Sequence, residues 1–153
     1  RDLDLVVLIV GAGDEKLKLQ SMVFDLGLDN VIFKDKVRKS EVSSILKTCD
    51  ALYLGWKDEY LYRFGIAANK LIEYMYSGRP IIHSFSGCCD PVKKYKAGIC
   101  SPAEDPQALA DSIRRLVVME DSARHLLGIN GHKAAVEHYD YANIALKMDQ
   151  YLN

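Results

Sequence analysis

Gly11-Ala12-Gly13 follows the apolar run Leu5 to Val10 and precedes a helical pattern. That placement sets free backbone N–H groups and a positive dipole end where a phosphate could sit. The tripeptide lacks the third glycine of a dinucleotide fingerprint, with Lys16 in that place, and it lacks the Gly-Lys-Ser/Thr of a P-loop. By itself it fits a tight strand-to-helix turn equally well. His83 ends an apolar run, where a lone histidine is expected to be a hydrogen-bonded structural residue. Lys34, Lys36, Arg38 and Lys39, and again Lys93, Lys94 and Lys96, read as solvated charged turns. Cys49, Cys88, Cys89 and Cys100 show no Cys-x-x-Cys spacing, and His83, His125, His132 and His138 complete no zinc pattern around them. No metal site is expected. The thiols are expected to be reduced and mostly buried, with Cys88-Cys89 the pair that stands out.

The elements that must position these residues belong to a chain of 153 residues, enough for one domain with a real core. Apolar residues make up 49% and charged residues 27%, which sets aside disordered, collagen-like and disulfide-scaffold classes. Twenty Lys and Arg against 21 Asp and Glu leave a net charge of −1, so no whole-chain basic field exists to hold nucleic acid or an anionic membrane. The longest apolar run, Leu5 to Val10, is too short to span a bilayer, and Arg1-Asp2-Leu3-Asp4 does not open a signal peptide. The expected location is the cytoplasm.

Hydrophobic periodicity alternates strands and helices. Leu5–Val10 suits a strand buried on both faces in a parallel sheet. Asp14 is placed to cap a helix whose stripe is Leu19, Met22, Val23 and Leu26, with Gly27 as its stop. Val31-Ile32-Phe33 is a short strand. Ser40 is placed to cap a helix carrying Val42, Ile45, Leu46 and Cys49. Ala51–Leu54 is the next strand, and the aromatic, aperiodic segment from Gly55 to Ile66 has the character of a functional loop. Ala68, Leu71, Ile72 and Met75 form another stripe, ended by Gly78, and a strand runs from Pro80 to His83. Gly98-Ile99-Cys100 is a further strand, and Asp105-Pro106 starts a helix with Leu109, Ile113, Leu116 and Val117. From Asp121 the chain should be helical, with Ile144, Met148, Tyr151 and Leu152 docking a terminal helix on the sheet. The fold class is α/β, a Rossmann-like doubly wound parallel sheet with C-terminal helices, in which ligands sit beyond the carboxyl ends of the strands.

The segment from Phe64 to Ile82, reading Phe64-Gly65-Ile66-Ala67-Ala68-Asn69-Lys70-Leu71-Ile72-Glu73-Tyr74-Met75 and then Ser77-Gly78-Arg79-Pro80, resembles the donor-binding helix of the GT-B glycosyltransferases. It is most similar to glycosyltransferase family 4 (glycosyl transferases group 1). Leu8–Gly13, Leu26–Phe33, Glu104–Ala110 and Gly128–His132 resemble family segments in the same order. The resemblance implies the nucleotide-sugar-binding half, over residues 1–153, of a two-domain retaining enzyme. It implies no bound metal and no cofactor beyond the nucleoside-diphosphate sugar used as donor substrate. The implied donor-binding residues are Gly11, Gly13, Val37, Gly65, Ala68, Asn69, Lys70 and Glu73, with no catalytic residue assigned. The N-terminus near Ala68 and Asn69 would meet a diphosphate, Lys70 would add a point charge, and Glu73, four residues beyond Asn69, would accept from the ribose hydroxyls. The family pairs two glutamates eight positions apart; Gly65 stands where the first would be.

The same resemblance implies that the family's first strand and helix, with an Arg and a Lys that neutralise the departing diphosphate, precede Arg1, and that the acceptor domain is outside the chain. The absent strand would then lie between Leu5–Val10 and Ala51–Leu54. The implied partners are a nucleotide sugar and that N-terminal acceptor domain, with no nucleic acid and no direct membrane insertion, although the full-length protein would lie peripheral to the inner membrane. The implied acceptor is a surface polysaccharide or glycolipid. Two other classes remain open at this point: a domain of a sugar-nucleotide epimerase, and a non-catalytic nucleotide-binding module.

Overall fold

A computed structural model describes residues 4–152, so the opening Arg1 to Leu3 and Asn153 lie outside the described residues. The chain divides into two compact units, residues 1–42 and 43–153.

In the first unit, strand β1 (Val7–Val10) runs parallel to β2 (Val31–Lys34), with Val7 opposite Val31 and Val10 opposite Lys34. The helix between them, α1, spans Lys16–Asp25. Asn30 holds the start of the pair, its Nδ2 donating to Leu5 O at 2.9 Å and its carbonyl accepting from Val7 N at 2.9 Å. At the other end Lys16 Nζ bonds Asp35 Oδ1 at 2.6 Å, and the ammonium holds that carboxyl below its ordinary value.

Two expectations fail here. The strand expected to be buried on both faces is nowhere fully buried, and Leu19, Met22 and Leu26 of the helical stripe are exposed. The reason is layer count: one helix and two strands cannot cover both faces of a sheet. Glu15 rather than Asp14 precedes the helix and makes no side-chain cap; its carboxylate instead accepts from Lys18 at 3.0 Å.

Helix α2 spans Lys39–Thr48, so Ser40 lies inside it and does not cap it. The first turn is closed by Glu41, whose Oε2 accepts from Arg38 N at 2.9 Å, the glutamate half of a capping box.

The second unit holds a three-stranded parallel sheet in the order β3 (Leu52–Gly55), β4 (Ile81–Ser84), β5 (Gly98–Ser101). Its register pairs Leu52 with Ile81 and Ile81 with Gly98. Every residue of the central β4 is buried. Because successive strand residues face opposite ways, Ile81 and Ile82 enter different cores. Ile81 joins Leu54, Leu71, Met75, Val92, Ala97, Ala134 and Ala135, supplied in part by α3 (Asn69–Tyr76) and α6 (Asp121–Tyr139). Ile82 joins Ile99 and Leu116, backed by Leu109 and Ile113 of α5 (Pro106–Val117). Helices on both faces of a parallel sheet make this the doubly wound α/β arrangement expected from the alternation.

Gly128 shows how tightly α6 sits on the turn after α3. A Cβ there would overlap Gly78 O and stand 2.8 Å from Gly78 C. The Asp105-Pro106 start is as read, with Asp105 Oδ1 accepting from Ala108 N at 2.9 Å. A four-residue helix, α4 (Pro91–Lys94), was not foreseen. The terminal helix α7 (Tyr141–Leu152) forms, but it does not dock on the sheet: Ile144, Met148, Tyr151 and Leu152 are all exposed.

Among the described residues no strand pairs with β1 other than β2, or with β3 other than β4. No helix among them is long and apolar enough to cross a membrane.

Candidate functional site

The second unit carries a cleft of about 790 Å³ at the loops after its strands. One wall is Phe64 to Ala67, the chain just before α3. The other is Cys89, Asp90 and Pro91 with Lys93 and Lys94 of α4, and Tyr139 of α6 completes it. The aromatic segment from Gly55 to Ile66 folds partly into a 3-10 turn over Tyr60–Phe64.

What holds the two walls is a buried polar chain. Trp56 Nε1 donates to His83 Nε2 at 2.9 Å, and His83 Nδ1 meets Asp90 Oδ1 at 2.9 Å. An indole N–H can only donate, so Nε2 must be bare and the proton sits on Nδ1, facing the carboxylate. The ring is fully buried and stacks on Phe85 at 5.2 Å. Asp90 Oδ1 also accepts from Val92 N at 2.8 Å and so caps α4. Burial pushes the Asp90 carboxyl up, but the hydrogen bonds from His83 and Cys100 and the Val92 amide outweigh it, and its pKa lies below the ordinary value. The Cys100 thiol is pushed up to about 12, first by burial and then by its bond to that carboxylate. Alongside this chain, Trp56 N donates to Ser84 O at 3.1 Å and Cys88 N to Tyr62 O at 3.1 Å. Tyr62 lies between Trp56 and Phe85, with centroids 5.5 and 5.7 Å away. His83 is thus the structural histidine the sequence implied.

Of the residues expected to bind a ligand, Gly65 lies in the cleft wall, where its φ of +103° ends the 3-10 turn in a conformation suited to glycine. Ala68 takes extended angles as the N-cap of α3, with no side chain bonding the first amides. The N–H groups at Asn69 and Lys70 therefore point out of the helix start without intrahelical partners. Asn69, Lys70 and Glu73 are all exposed, and the four-residue spacing sets Asn69 and Glu73 on one face. Leu71 and Met75 lock the opposite face into the core, so the exposed face is fixed in orientation.

Gly11, Gly13 and Val37 belong to the first unit. Gly11 N donates to Lys34 O at 3.2 Å, prolonging the ladder, and Gly13 O accepts from Lys16 N at 3.1 Å as α1 begins. No neighbouring atom lies where a Cβ would sit at either glycine. Val37 is half-buried between β2 and α2.

Sequence reasoning marked the segment from Gly55 to Ile66 as a functional loop, but it missed the Trp56–His83–Asp90 chain and the place of Lys93 and Lys94 in the cleft. The signal for Asp90 was present: Asp90-Pro91 repeats the cap-and-proline pattern of Asp105-Pro106. The cysteines are free, as expected, but Cys88 and Cys89 are exposed and the other two only half-buried. They are not the mostly buried set anticipated, because Cys88 and Cys89 fall on a loop outside the strands. Among the described residues no group of three or more His, Cys, Asp or Glu side chains is placed to hold a metal ion.

The family described as "Glycosyl transferases group 1" matches residues 1–118. No curated protein sequence matches at a significant level. Among solved structures, the chain is similar to the sucrose-phosphate synthase of Thermosynechococcus elongatus, with 21% identity, a TM-score of 0.74, and coverage of 95% of this chain and 37% of that one. It is similar to Anabaena HepE, solved in complex with UDP, at 17% identity and a TM-score of 0.73 over 97% of this chain and 40% of that one. It is also similar to TarM, at 23% identity and a TM-score of 0.75 over 99% of this chain and 29% of that one. At such identities the likeness establishes the fold, and the chain spans well under half the length of each of these proteins.

Proposed function

Because the chain belongs to the group 1 glycosyl transferases, we propose that it is the nucleotide-sugar-binding half of a retaining glycosyltransferase that modifies a polysaccharide or glycolipid acceptor. The observation that carries this reading is the start of α3: an uncapped helix N-terminus beside a cleft, with an amide, an ammonium and a carboxylate within its first two turns. The N–H groups of Asn69 and Lys70 receive diphosphate oxygens. Each such charge–dipole contact contributes roughly 0.3–1 kcal/mol at an exposed site. Lys70 supplies a compact positive charge, and Lys93 and Lys94 on the far wall add to the cationic character of the cleft. Glu73, an acceptor only, takes both ribose hydroxyls. That HepE was solved with UDP, and in another crystal with UDP-glucose, supports a uridine nucleotide as the first ligand to try.

In this reading the acceptor is held by a second domain outside these 153 residues. The chain alone binds donor and does not turn it over, since proximity of the two reactants is missing. The test is calorimetric titration of UDP, GDP, ADP and TDP into the chain and into Glu73→Ala. One nucleoside diphosphate is expected to bind, and the variant is expected to bind it about tenfold more weakly, near 1.4 kcal/mol, as for one lost hydrogen-bonded carboxylate. Equal affinity in both chains would remove Glu73 from the site. No binding of any nucleotide at millimolar concentration would remove the donor-site reading.

A further inference from the structure

Free cysteine is among the most buried residue types, yet this chain exposes two in succession, Cys88 and Cys89, in the loop between β4 and α4. The backbone around them is fixed. Cys88 N is bonded to Tyr62 O at 3.1 Å, a Cβ at Gly87 would meet the Tyr62 side chain at 2.8 Å, and Asp90 is anchored by His83. Cys89 itself takes a left-handed φ of +58°, uncommon for a residue with a Cβ. The Cys89 thiol beside it raises the Cys88 pKa above its ordinary value. Cys89 lines the cleft.

Adjacent thiols have two routes to a shared bond. A direct disulfide needs Cα atoms about 4.4–6.8 Å apart, whereas consecutive Cα atoms are held at about 3.8 Å, so that ring is strained. A soft centre inserted between the sulfurs lengthens the bridge and relieves the constraint, and thiolate sulfur is the ligand such centres select. We propose that Cys88 and Cys89 form a two-sulfur site for a trivalent arsenical at the rim of the cleft. With an organoarsenic oxide, two As–S bonds form and the As–O double bond breaks. The oxygen leaves as water with the two thiol protons, and no atom changes oxidation state. Neither other thiol offers a partner: Cys49 donates to Ile45 O at 3.5 Å, and Cys100 is engaged with Asp90.

The thiol chemistry does not depend on the donor reading, although Cys89 shares its cleft, and it is tested without a nucleotide. The chain is treated with one equivalent of phenylarsine oxide, challenged with excess 2-mercaptoethanol and then with 2,3-dimercaptopropanol, and followed by intact mass. The unmodified sequence should hold one phenylarsenic group through the monothiol and release it to the dithiol. Cys88→Ser and Cys89→Ser should each shed it to the monothiol, while Cys49→Ser and Cys100→Ser behave as the parent. Far-ultraviolet circular dichroism checks that each variant is folded. Loss of the adduct from the parent chain to the monothiol, or its retention by the chain lacking both Cys88 and Cys89, would overturn the proposal.

Discussion

Gly128→Ala and Gly131→Ala place the same methyl group on the same helix three residues apart, and the structure gives them opposite consequences. Each removes a glycine from the interior of α6, which by helix propensity alone stabilises by about 0.8–1.0 kcal/mol. At Gly131 the new Cβ would lie 3.2 Å from Ala97 Cβ and 3.5 Å from Met75 O, so a shift of a few tenths of an ångström accommodates it. At Gly128 it would overlap a backbone carbonyl, Gly78 O, with the carbonyl carbon at 2.8 Å. That carbon lies about 0.6 Å inside ordinary contact, and the oxygen deeper still, so α6 must back away from the turn that ends α3. Overpacking of this kind costs about 1–3 kcal/mol, and a clash of backbone with helix belongs at the upper end. After the propensity gain, Gly128→Ala should destabilise by about 2 kcal/mol, while Gly131→Ala should be neutral or stabilising by up to about 1 kcal/mol.

The assay is urea unfolding followed by fluorescence of Trp56, the only tryptophan, which packs against the same core. With a slope of about 1–3 kcal/mol per molar urea, Gly128→Ala should lower the midpoint by about 1 M. Equal midpoints for the two variants, or a gain at Gly128, would show that α6 does not rest on the Gly78 turn as described, and that the placement of α3 owes nothing to that contact.

Other outcomes follow from the buried chain and the proposed half-site. His83→Phe strands the Trp56 N–H and removes a donor from Asp90, so it should destabilise by about 1–3 kcal/mol, while His83→Gln, carrying both a donor and an acceptor, should lose less; the same urea assay ranks them. Cys100 has its pKa raised from 9.0 to about 12 in the fold, so the folded state keeps a proton that the unfolded chain releases. Its contribution is therefore complete below pH 9 and declines as pH rises toward 12, and Cys100→Ala should flatten the alkaline loss seen in parallel urea melts. Asp90 has the opposite sign: its lowered value makes its contribution complete above about pH 4 and lost as acid protonates it, a dependence that Asp90→Asn should remove. Incubated alone with UDP-sugars and candidate acceptors, the chain should release no more UDP than the hydrolysis blank; measurable transfer would contradict the half-enzyme reading.

Much of the second unit was legible because several signals agreed. Ile81 and Ile82 sit in an apolar run started by Pro80, and Leu71 and Met75 recur at helical spacing before Gly78, so composition, period and punctuation pointed one way. Asp105-Pro106 was legible for the same reason. The failures have separate causes. Leu5–Val10 has the composition of a strand covered on both faces, but burial depends on what packs against it, which periodicity does not encode. Asp14 and Ser40 are cap-forming residues one or two positions from the true helix starts; at α2 the boundary was settled by Glu41, which accepts from Arg38 N, while α1 starts with no side-chain cap at all. Helix α4 is too short to show a period, and only its Asp-Pro start announced it. The cleft wall at Lys93 and Lys94 read as a solvated charge cluster, since the fold alone brings it opposite Phe64 to Ala67.

The claim on which the functional account rests is that a nucleoside diphosphate meets the start of α3. The most direct measurement is a titration of UDP into uniformly 15N-labelled chain, following assigned amide resonances. Saturable shifts are expected, centred on Ala67 to Lys70 and the loop from Gly87 to Asp90, with the Asn69 and Lys70 amides moving furthest as they donate to phosphate oxygens. Saturable binding that leaves those amides unmoved, or no shift anywhere at millimolar UDP, GDP, ADP and TDP, would contradict that claim.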